Sequence, residues 1–281
     1  MLKKYTKKWY KIRSVYHILR NLLTGLNKKE PIVVLTIGKV GSSSIYHTLK
    51  DSTPYQCFHV HCLSKNGIER QIQFHNKYDK GKIPPNIRVA QVFQNKLLNH
   101  SQNIYYIVIV RSPIDRLLSA IFQHHDKFNI KHFTSTHEEN YIKAIDLIES
   151  KITEKGVQNE FDIWIQEEIQ ETLGIDIFSQ PYNEEKGYNI YKKENKNLLL
   201  MKMERLNTDF TSALKIFLNS EQEIILDQHN VGNEKEYREE YRLVKNNLKI
   251  EEAVVENFTK TKYFQHFYTG QEEELIKKWS K

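Results

Sequence analysis

Glycine is scarce in this chain, at 10 of 281 residues, about half the ~7% usual in globular proteins. Wherever glycines gather, a backbone requirement is therefore to be sought. Cysteine is scarcer still. Cys57 and Cys62 are the only two, too few for a disulfide framework and in keeping with a reducing compartment. Long apolar runs are missing: stretches such as Ile32–Leu35 and Ile107–Val110 have the length of strands, far short of the ~18–20 residues that cross a bilayer. The N-terminus is basic, but Arg20 interrupts its apolar part and no small-residue cleavage site follows. No secretory signal is expected, and the expected location is cytoplasmic.

Hydrophobic residues make up 39% of the chain and charged residues 27%, the balance of a folded globular protein rather than a disordered one. The net charge is +7, but it is unevenly placed. Residues 1–30 hold nine Lys/Arg against the single acid Glu30, and the rest of the chain holds 33 basic and 34 acidic groups. A body with no net positive charge is a poor polyanion binder, so no nucleic-acid partner is expected.

Within residues 1–26, Tyr5, Trp9, Ile12, Tyr16, Leu19, Leu23 and Leu26 recur at three- and four-residue spacing, with Lys4, Lys7, Lys8 and Lys11 mostly off that stripe. The spacing predicts an amphipathic helix, for which two readings stand side by side. It lies on an anionic membrane surface, making the protein peripheral on the inner face, or it packs its stripe on its own domain.

After the break at Asn27–Pro31, the chain alternates strand and helix. Strands are predicted at Ile32–Ile37, Tyr55–His61 and Ile104–Val110, and helices at Ile45–Leu49, Leu63–Tyr78 and Ile114–His125, with a turn-rich loop at Lys80–Pro85. Further on, helices are predicted at Tyr141–Lys155, Asn159–Leu173, Asn207–Leu218, Glu234–Leu248, Glu251–Phe258 and Gln271–Lys278, and a strand pair at Tyr188–Lys193 and Asn197–Met203. The expected fold class is α/β. Residues 31–281 form one three-layer P-loop-like domain with a central parallel sheet flanked by helices, and the amphipathic helix of residues 1–30 precedes it.

Two segments carry chemistry. The first is Gly38-Lys39-Val40-Gly41-Ser42-Ser43-Ser44, placed between an apolar strand and a helix. A glycine turn that ends in a helix N-terminus aims several N–H donors and the positive end of the helix dipole at one point, as a phosphate requires. Gly41 lets the backbone come close, the hydroxyls of Ser42, Ser43 and Ser44 add donors, and Lys39 adds positive charge. The order differs from the nucleoside-triphosphatase loop, in which lysine follows the last glycine. The second segment runs from Val108 to Ser119. Arg111 ends an apolar strand, where α/β sheets bind ligands, and Ser119 follows eight residues later. An arginine fork grips a phosphate, and a serine hydroxyl adds a donor. The bland alternatives are a serine-capped strand–helix turn and an arginine paired at a sheet edge.

Together these segments resemble the sulfotransferases that use 3′-phosphoadenosine 5′-phosphosulfate. The likeness is to the carbohydrate branch, in particular the heparan sulfate 2-O-sulfotransferases, and to bacterial capsular-polysaccharide-associated members of that superfamily. The loop of those enzymes reads Pro-Lys-Thr-Ala-Ser-Thr-Ser, and their second motif reads Ile-Arg-Asp-Pro-Ile-Glu-Arg-Leu-x-Ser. The resemblance covers residues 32–62 and 104–123. It implies a co-substrate, 3′-phosphoadenosine 5′-phosphosulfate, whose 5′ end is held by Lys39, Gly41, Ser42, Ser43 and Ser44 and whose 3′-phosphate is held by Arg111 and Ser119. It implies a glycan or glycolipid acceptor and no metal. The chain departs from the pattern at Gly38 and Ser112, where the family has Pro and Asp, and in the long stretch of residues 63–103.

The 2-O enzymes also carry a His-x-His after the loop, and their second histidine resembles His61 here. On a strand, Cys57, His59 and His61 share one face. A sugar hydroxyl that attacks sulfur must lose its proton, and a histidine base suits that task. Lys39 is the expected partner in catalysis, neutralising charge on the departing phosphate. Two other readings of the histidines stand: the start of a zinc site with Cys57, which lacks a separated second ligand pair, and a hydrogen-bonded core histidine, for which His59 is the better candidate. For the whole chain, the alternatives are a nucleotide kinase with a degenerate phosphate loop, and a nucleotide-binding protein without catalysis. His229–Asn233 and Glu204 are weaker candidates, read as a helix start and a structural carboxylate.

Overall fold

The computed structural model describes residues 30–96, 102–125, 127–128, 138–227 and 237–281. Its strands are β1 (Pro31–Leu35), β2 (Gln56–Val60), β3 (Ile104–Val110), β4 (Tyr188–Lys193) and β5 (Lys196–Lys202). They form one sheet in the order β2-β1-β3-β5-β4. The expectation of a parallel sheet holds for four strands and needs correcting at the edge, where β4 runs antiparallel to β5. Only Glu194 and Asn195 join those two strands. So short a link makes a hairpin and cannot make a crossover; Glu194 turns it with φ +53°.

The helices are α1 (Ser42–Ser52), α2 (Lys65–Tyr78), α3 (Pro85–Lys96), α4 (Pro113–Gln123), α5 (Glu138–Ile152), α6 (Glu160–Trp164), α7 (Leu206–Phe217), α8 (Arg238–Asn247), α9 (Glu252–Thr259), α10 (Lys262–Phe267) and α11 (Glu272–Trp279). They lie on both faces of the sheet, as the alternation of strand side chains requires. Ile32, Val34, Ile107, Ile109, Leu199 and Met201 pack against Ile45 and Leu49 of α1 and Phe210 and Leu214 of α7. Val33, Leu35, Val108, Val110, Leu198 and Leu200 belong to the opposite core, with Phe93 of α3, Leu118 and Phe122 of α4 and Ile148 of α5. Strands buried on both faces read as unbroken apolar runs, and each fully buried aliphatic side chain contributes ~1.5–3 kcal/mol.

Two elements differ from the sequence pattern. Pro85 ends no loop; it opens α3, at the helix position where proline's fixed φ is tolerated. The apolar residues Ile87, Ala90 and Phe93 then recur on one side. The helix predicted at Asn159–Leu173 changes winding partway, with α6 passing into a π-turn segment, Ile165–Glu171. The wider turn carries Glu168 inward, fully buried, while Glu167 pairs outward with Arg70. Glu168 accepts from Leu63 N (2.5 Å), Ser64 N (2.7 Å) and Ser64 Oγ (2.5 Å), which fastens the end of β2 to this helix. Gly67 makes the approach possible: a Cβ there would lie 2.2 Å from Glu168 Oε1.

No helix among the described residues is long and apolar enough to cross a membrane. The amphipathic helix expected over residues 1–26 and the segment His229–Asn233 lie outside the described residues.

Asp115, in the first turn of α4, is buried between Lys278 of α11 (2.6 Å) and Lys245 of α8 (2.9 Å). Burial works to raise its carboxyl pKa, but the two lysines override it and hold the pKa below the ordinary value. A depressed carboxyl pKa contributes stability above the unfolded value, lost as pH falls through the folded one. Asp115→Asn should therefore cost about 1–3 kcal/mol in urea unfolding at pH 7, the partly exposed lysines moderating the effect. The gap to wild type should close in acid. A gap independent of pH would refute the ion-pair account.

Candidate functional site

The loop between β1 and α1 bends against the preference of its own residues. Gly38 (φ +90°), Lys39 (φ +63°) and Gly41 (φ +80°) all sit in the left-handed region. Gly41 is the N-cap of α1 and brings no side-chain cap; the N–H groups of Ser44 (3.1 Å) and Ile45 (3.4 Å) donate to its carbonyl, while those of Ser42 and Ser43, at the helix start, have no preceding turn to bond. Lys39 is not a glycine, and its left-handed backbone costs ~1–2 kcal/mol. Its carbonyl is held by Arg111 Nη1 at 2.8 Å. The arginine at the end of β3 and the loop at the end of β1 are thus joined directly. Among the described residues, this is the one side-chain hydrogen bond of Arg111.

The two histidines lie together, with ring centroids 4.9 Å apart in an edge arrangement. His61 Nδ1 lies 2.8 Å from the Thr36 carbonyl. A carbonyl can only accept, so Nδ1 carries the proton and Nε2 keeps the lone pair. Burial, above all, pushes the His61 pKa below the ordinary value; the Thr36 carbonyl works the other way, and the charges of Arg116 and Lys39 add to the lowering. His61 is therefore a neutral imidazole in the tautomer of a base. Its ring covers Gly38, where a Cβ would come within 3.6 Å of Cε1. His59 Nε2 bonds Ser42 Oγ at 2.9 Å, and burial first, then the neighbouring His61 and His47, push its pKa down to about 3. His59 is the hydrogen-bonded interior histidine, and it fixes the first serine of the loop.

The cysteines supply no thiolate. Burial pushes the Cys57 thiol up to about 11 and the Cys62 thiol up to about 12. Among the described residues there is no group of three or more His, Cys, Asp or Glu that could hold a metal ion.

Ser43 and Ser44 stand in the first turn of α1, partly buried. Ser119 stands on α4, partly buried, and makes no hydrogen bond among the described residues. The structure thus brings Lys39, Ser42, His61 and Arg111 into one cluster; for Ser119 it gives a place on the helix that follows Arg111 and no contact with it.

Several residues complete the surroundings of the cluster; of these, Glu204 was read in the sequence as a structural carboxylate, while Tyr263 and Trp164 carried no such signal. Tyr263 of α10 clamps the Arg111 backbone from both sides, its hydroxyl accepting from Arg111 N (2.9 Å) and donating to Arg111 O (2.7 Å). Its ring stacks on Phe161 at 4.0 Å. Glu204, just past β5, accepts from Ser112 N (2.9 Å) and from the Tyr268 hydroxyl (3.2 Å). Trp164 of α6 donates its indole N–H to the His61 carbonyl at 2.8 Å. Arg116 of α4, only 7% exposed, reaches the Ile37 carbonyl (3.3 Å), the Gly38 carbonyl (3.5 Å) and Glu160 of α6 (2.5 Å). Arg116 lies inside the second motif, but its spacing alone did not say which way it points. Two residues beyond His61, Leu63 and Ser64 border a cleft of about 270 Å³ whose wall includes Asn66, Gln94 and Thr172.

Residues 138–269 match the family model NKWYS, described as "Putative capsular polysaccharide synthesis protein". The match covers just under half of the chain. It takes in α5, α6, β4, β5, α7, α8, α9 and α10, including Glu160, Trp164, Glu204 and Tyr263. The loop, His61 and Arg111 fall outside it. Comparison with curated proteins and with solved structures gives no match.

Replacing Tyr263 with Phe removes one hydroxyl and leaves Arg111 N and O without their partner. The expected cost is about 1–3 kcal/mol in chemical denaturation. An unchanged midpoint would mean that the clamp adds nothing to the strand end.

Proposed function

We propose that this protein transfers a sulfuryl group from 3′-phosphoadenosine 5′-phosphosulfate to a hydroxyl of a glycan or glycolipid acceptor. The observation that carries the reading is the 2.8 Å bond from Arg111 Nη1 to the Lys39 carbonyl. It ties the arginine at the end of β3 to the glycine loop at the end of the neighbouring β1, with a histidine packed on the same loop. The likeness of residues 138–269 to a capsular polysaccharide synthesis family supports an acceptor of the glycan class.

In this reading, Lys39, Gly41, Ser42, Ser43, Ser44 and the loop N–H groups hold the 5′-phosphosulfate end. Arg111 and Ser119 hold the 3′-phosphate. His61 Nε2 takes the proton from the acceptor hydroxyl as its oxygen bonds to sulfur. The bond between sulfur and the bridging phosphate oxygen breaks, and 3′-phosphoadenosine 5′-phosphate leaves. Lys39 offsets the charge that builds on that oxygen, an interaction strengthened by the low dielectric of the site.

Calorimetric titration with 3′-phosphoadenosine 5′-phosphate, with 5′-AMP and ATP·Mg²⁺ as comparators, tests the donor. Micromolar binding that needs the 3′-phosphate and is lost in Arg111→Ala is the expected result; a preference for ATP·Mg²⁺ would turn the reading towards phosphoryl transfer. In turnover assays, His61→Ala should cost ~10²–10⁴-fold in kcat and leave donor binding intact. Because the His61 pKa lies below its ordinary ~6.5, the acid limb of kcat/KM should have its midpoint below that value, with the plateau reached by about pH 8. A midpoint above that value would exclude His61 as the base.

A further inference from the structure

We propose that Arg116 is a positioning residue of this site: it grips the carbonyls of Ile37 and Gly38 and ties the loop, through Glu160, to helix α6. This deepens the reading of the loop as the cradle of the phosphosulfate, and rests on it. The first support is the geometry of the peptide unit. In a trans peptide, the N–H of one residue points opposite to the C=O of the residue before it, and there are no cis peptides among the described residues. The Ile37 and Gly38 carbonyls point to Arg116, and the Lys39 carbonyl points to Arg111. Two arginines therefore hold three successive carbonyls and turn the N–H groups of Gly38, Lys39 and Val40 away from themselves. Anion binding needs donors turned outward in this way, and left-handed backbone at Gly38 and Lys39 would not keep them so unaided.

The second support is where the charge sits. An arginine this buried is costly unless paired, and Arg116 has one carboxylate partner, Glu160, in addition to the carbonyls; its guanidinium also lies 5.7 Å from the Phe161 ring centre. The groups facing His61 are the Thr36 carbonyl at the end of β1, Lys39 of the loop, His59 of β2 and Arg116 of α4, with Trp164 of α6 on its own carbonyl. Two of these are cations, and both disfavour the imidazolium. Arg116 thus shapes the donor cradle and adds to the burial that disfavours the imidazolium beside it.

Ring ¹⁵N NMR of the ligand-free full chain tests this without relying on the reaction. The His61 signals are identified by their loss in His61→Gln. The wild type should titrate below the ordinary histidine midpoint, its neutral ring carrying the proton on Nδ1. In Arg116→Gln, the His61 midpoint should rise by about one unit, whereas in Glu160→Gln, which leaves the cation unscreened, the midpoint should not rise. A rise of equal size in both variants would signal general loosening of the fold and overturn the proposal, as would no change in Arg116→Gln. Calorimetry with 3′-phosphoadenosine 5′-phosphate runs alongside. Wild-type binding tests the loop reading by itself, and where it binds, Arg116→Gln should weaken it at least tenfold, with Arg116→Lys restoring less than half of the loss because lysine cannot span two carbonyls. If the wild type binds no nucleotide, the reading of the loop falls while the ring spectra still judge Arg116.

Discussion

The rest of the site depends on holding one short stretch of backbone in a conformation it would not keep alone. Gly38, Lys39 and Gly41 all have positive φ, and only the two glycines adopt it without cost. Strain of this kind persists where surroundings over-determine it. Here the surroundings are two arginine forks on the carbonyls and a histidine ring on Gly38. Each comes from a different place: Arg111 from the end of β3, Arg116 from the helix that follows it, His61 from the end of β2. The parallel sheet makes that convergence possible, since β1, β2 and β3 deliver their carboxyl ends to one edge.

Those side chains are in turn held by residues distant in sequence. Tyr263 fixes Arg111, Glu204 fixes Ser112, Trp164 fixes the His61 carbonyl and Glu160 fixes Arg116. All four belong to the portion of the chain similar to the capsular polysaccharide family, whereas the loop and both histidines precede it. A frame that meets the residues holding and flanking the loop at four separate points tolerates little drift at any one of them.

Burial shapes the electrostatics as much as the packing. Burial above all disfavours the imidazolium of both histidines, with Arg116 and Lys39 adding to it at His61, and His61 and His47 at His59. The same burial raises Cys57 and Cys62 and leaves them inert thiols. Cations concentrated around neutral bases give the cluster the charge balance that the proposed donor site calls for. Glu160 and Glu204 meet the edges of the cluster, through Arg116 and Ser112, and not the loop itself.

How much of this was legible in the sequence follows from the range of each interaction. β1 and β3 were plain because strands buried on both faces leave unbroken apolar runs, and the loop was plain because glycines are rare in this chain. The shared face of His59 and His61 followed from the two-residue period of a strand. Helix α3 was hidden because Ile87, Ala90 and Phe93 are set among polar residues behind a proline pair. Helix α10 was hidden because Lys262–Phe267 is short and its Tyr and Phe residues are equally at home in strands. The π-turn at Ile165–Glu171 had no local mark; it exists because Glu168 must reach two N–H groups more than a hundred residues earlier. The Tyr263 clamp spans 152 residues, a distance over which no spacing rule operates. The antiparallel edge strand, in contrast, was open to deduction, because two residues between β4 and β5 permit nothing else. Local chemistry was therefore readable, and the long-range contacts that aim it were not. The role of a residue such as Arg116 lay in that second class even though it stood inside a recognised motif.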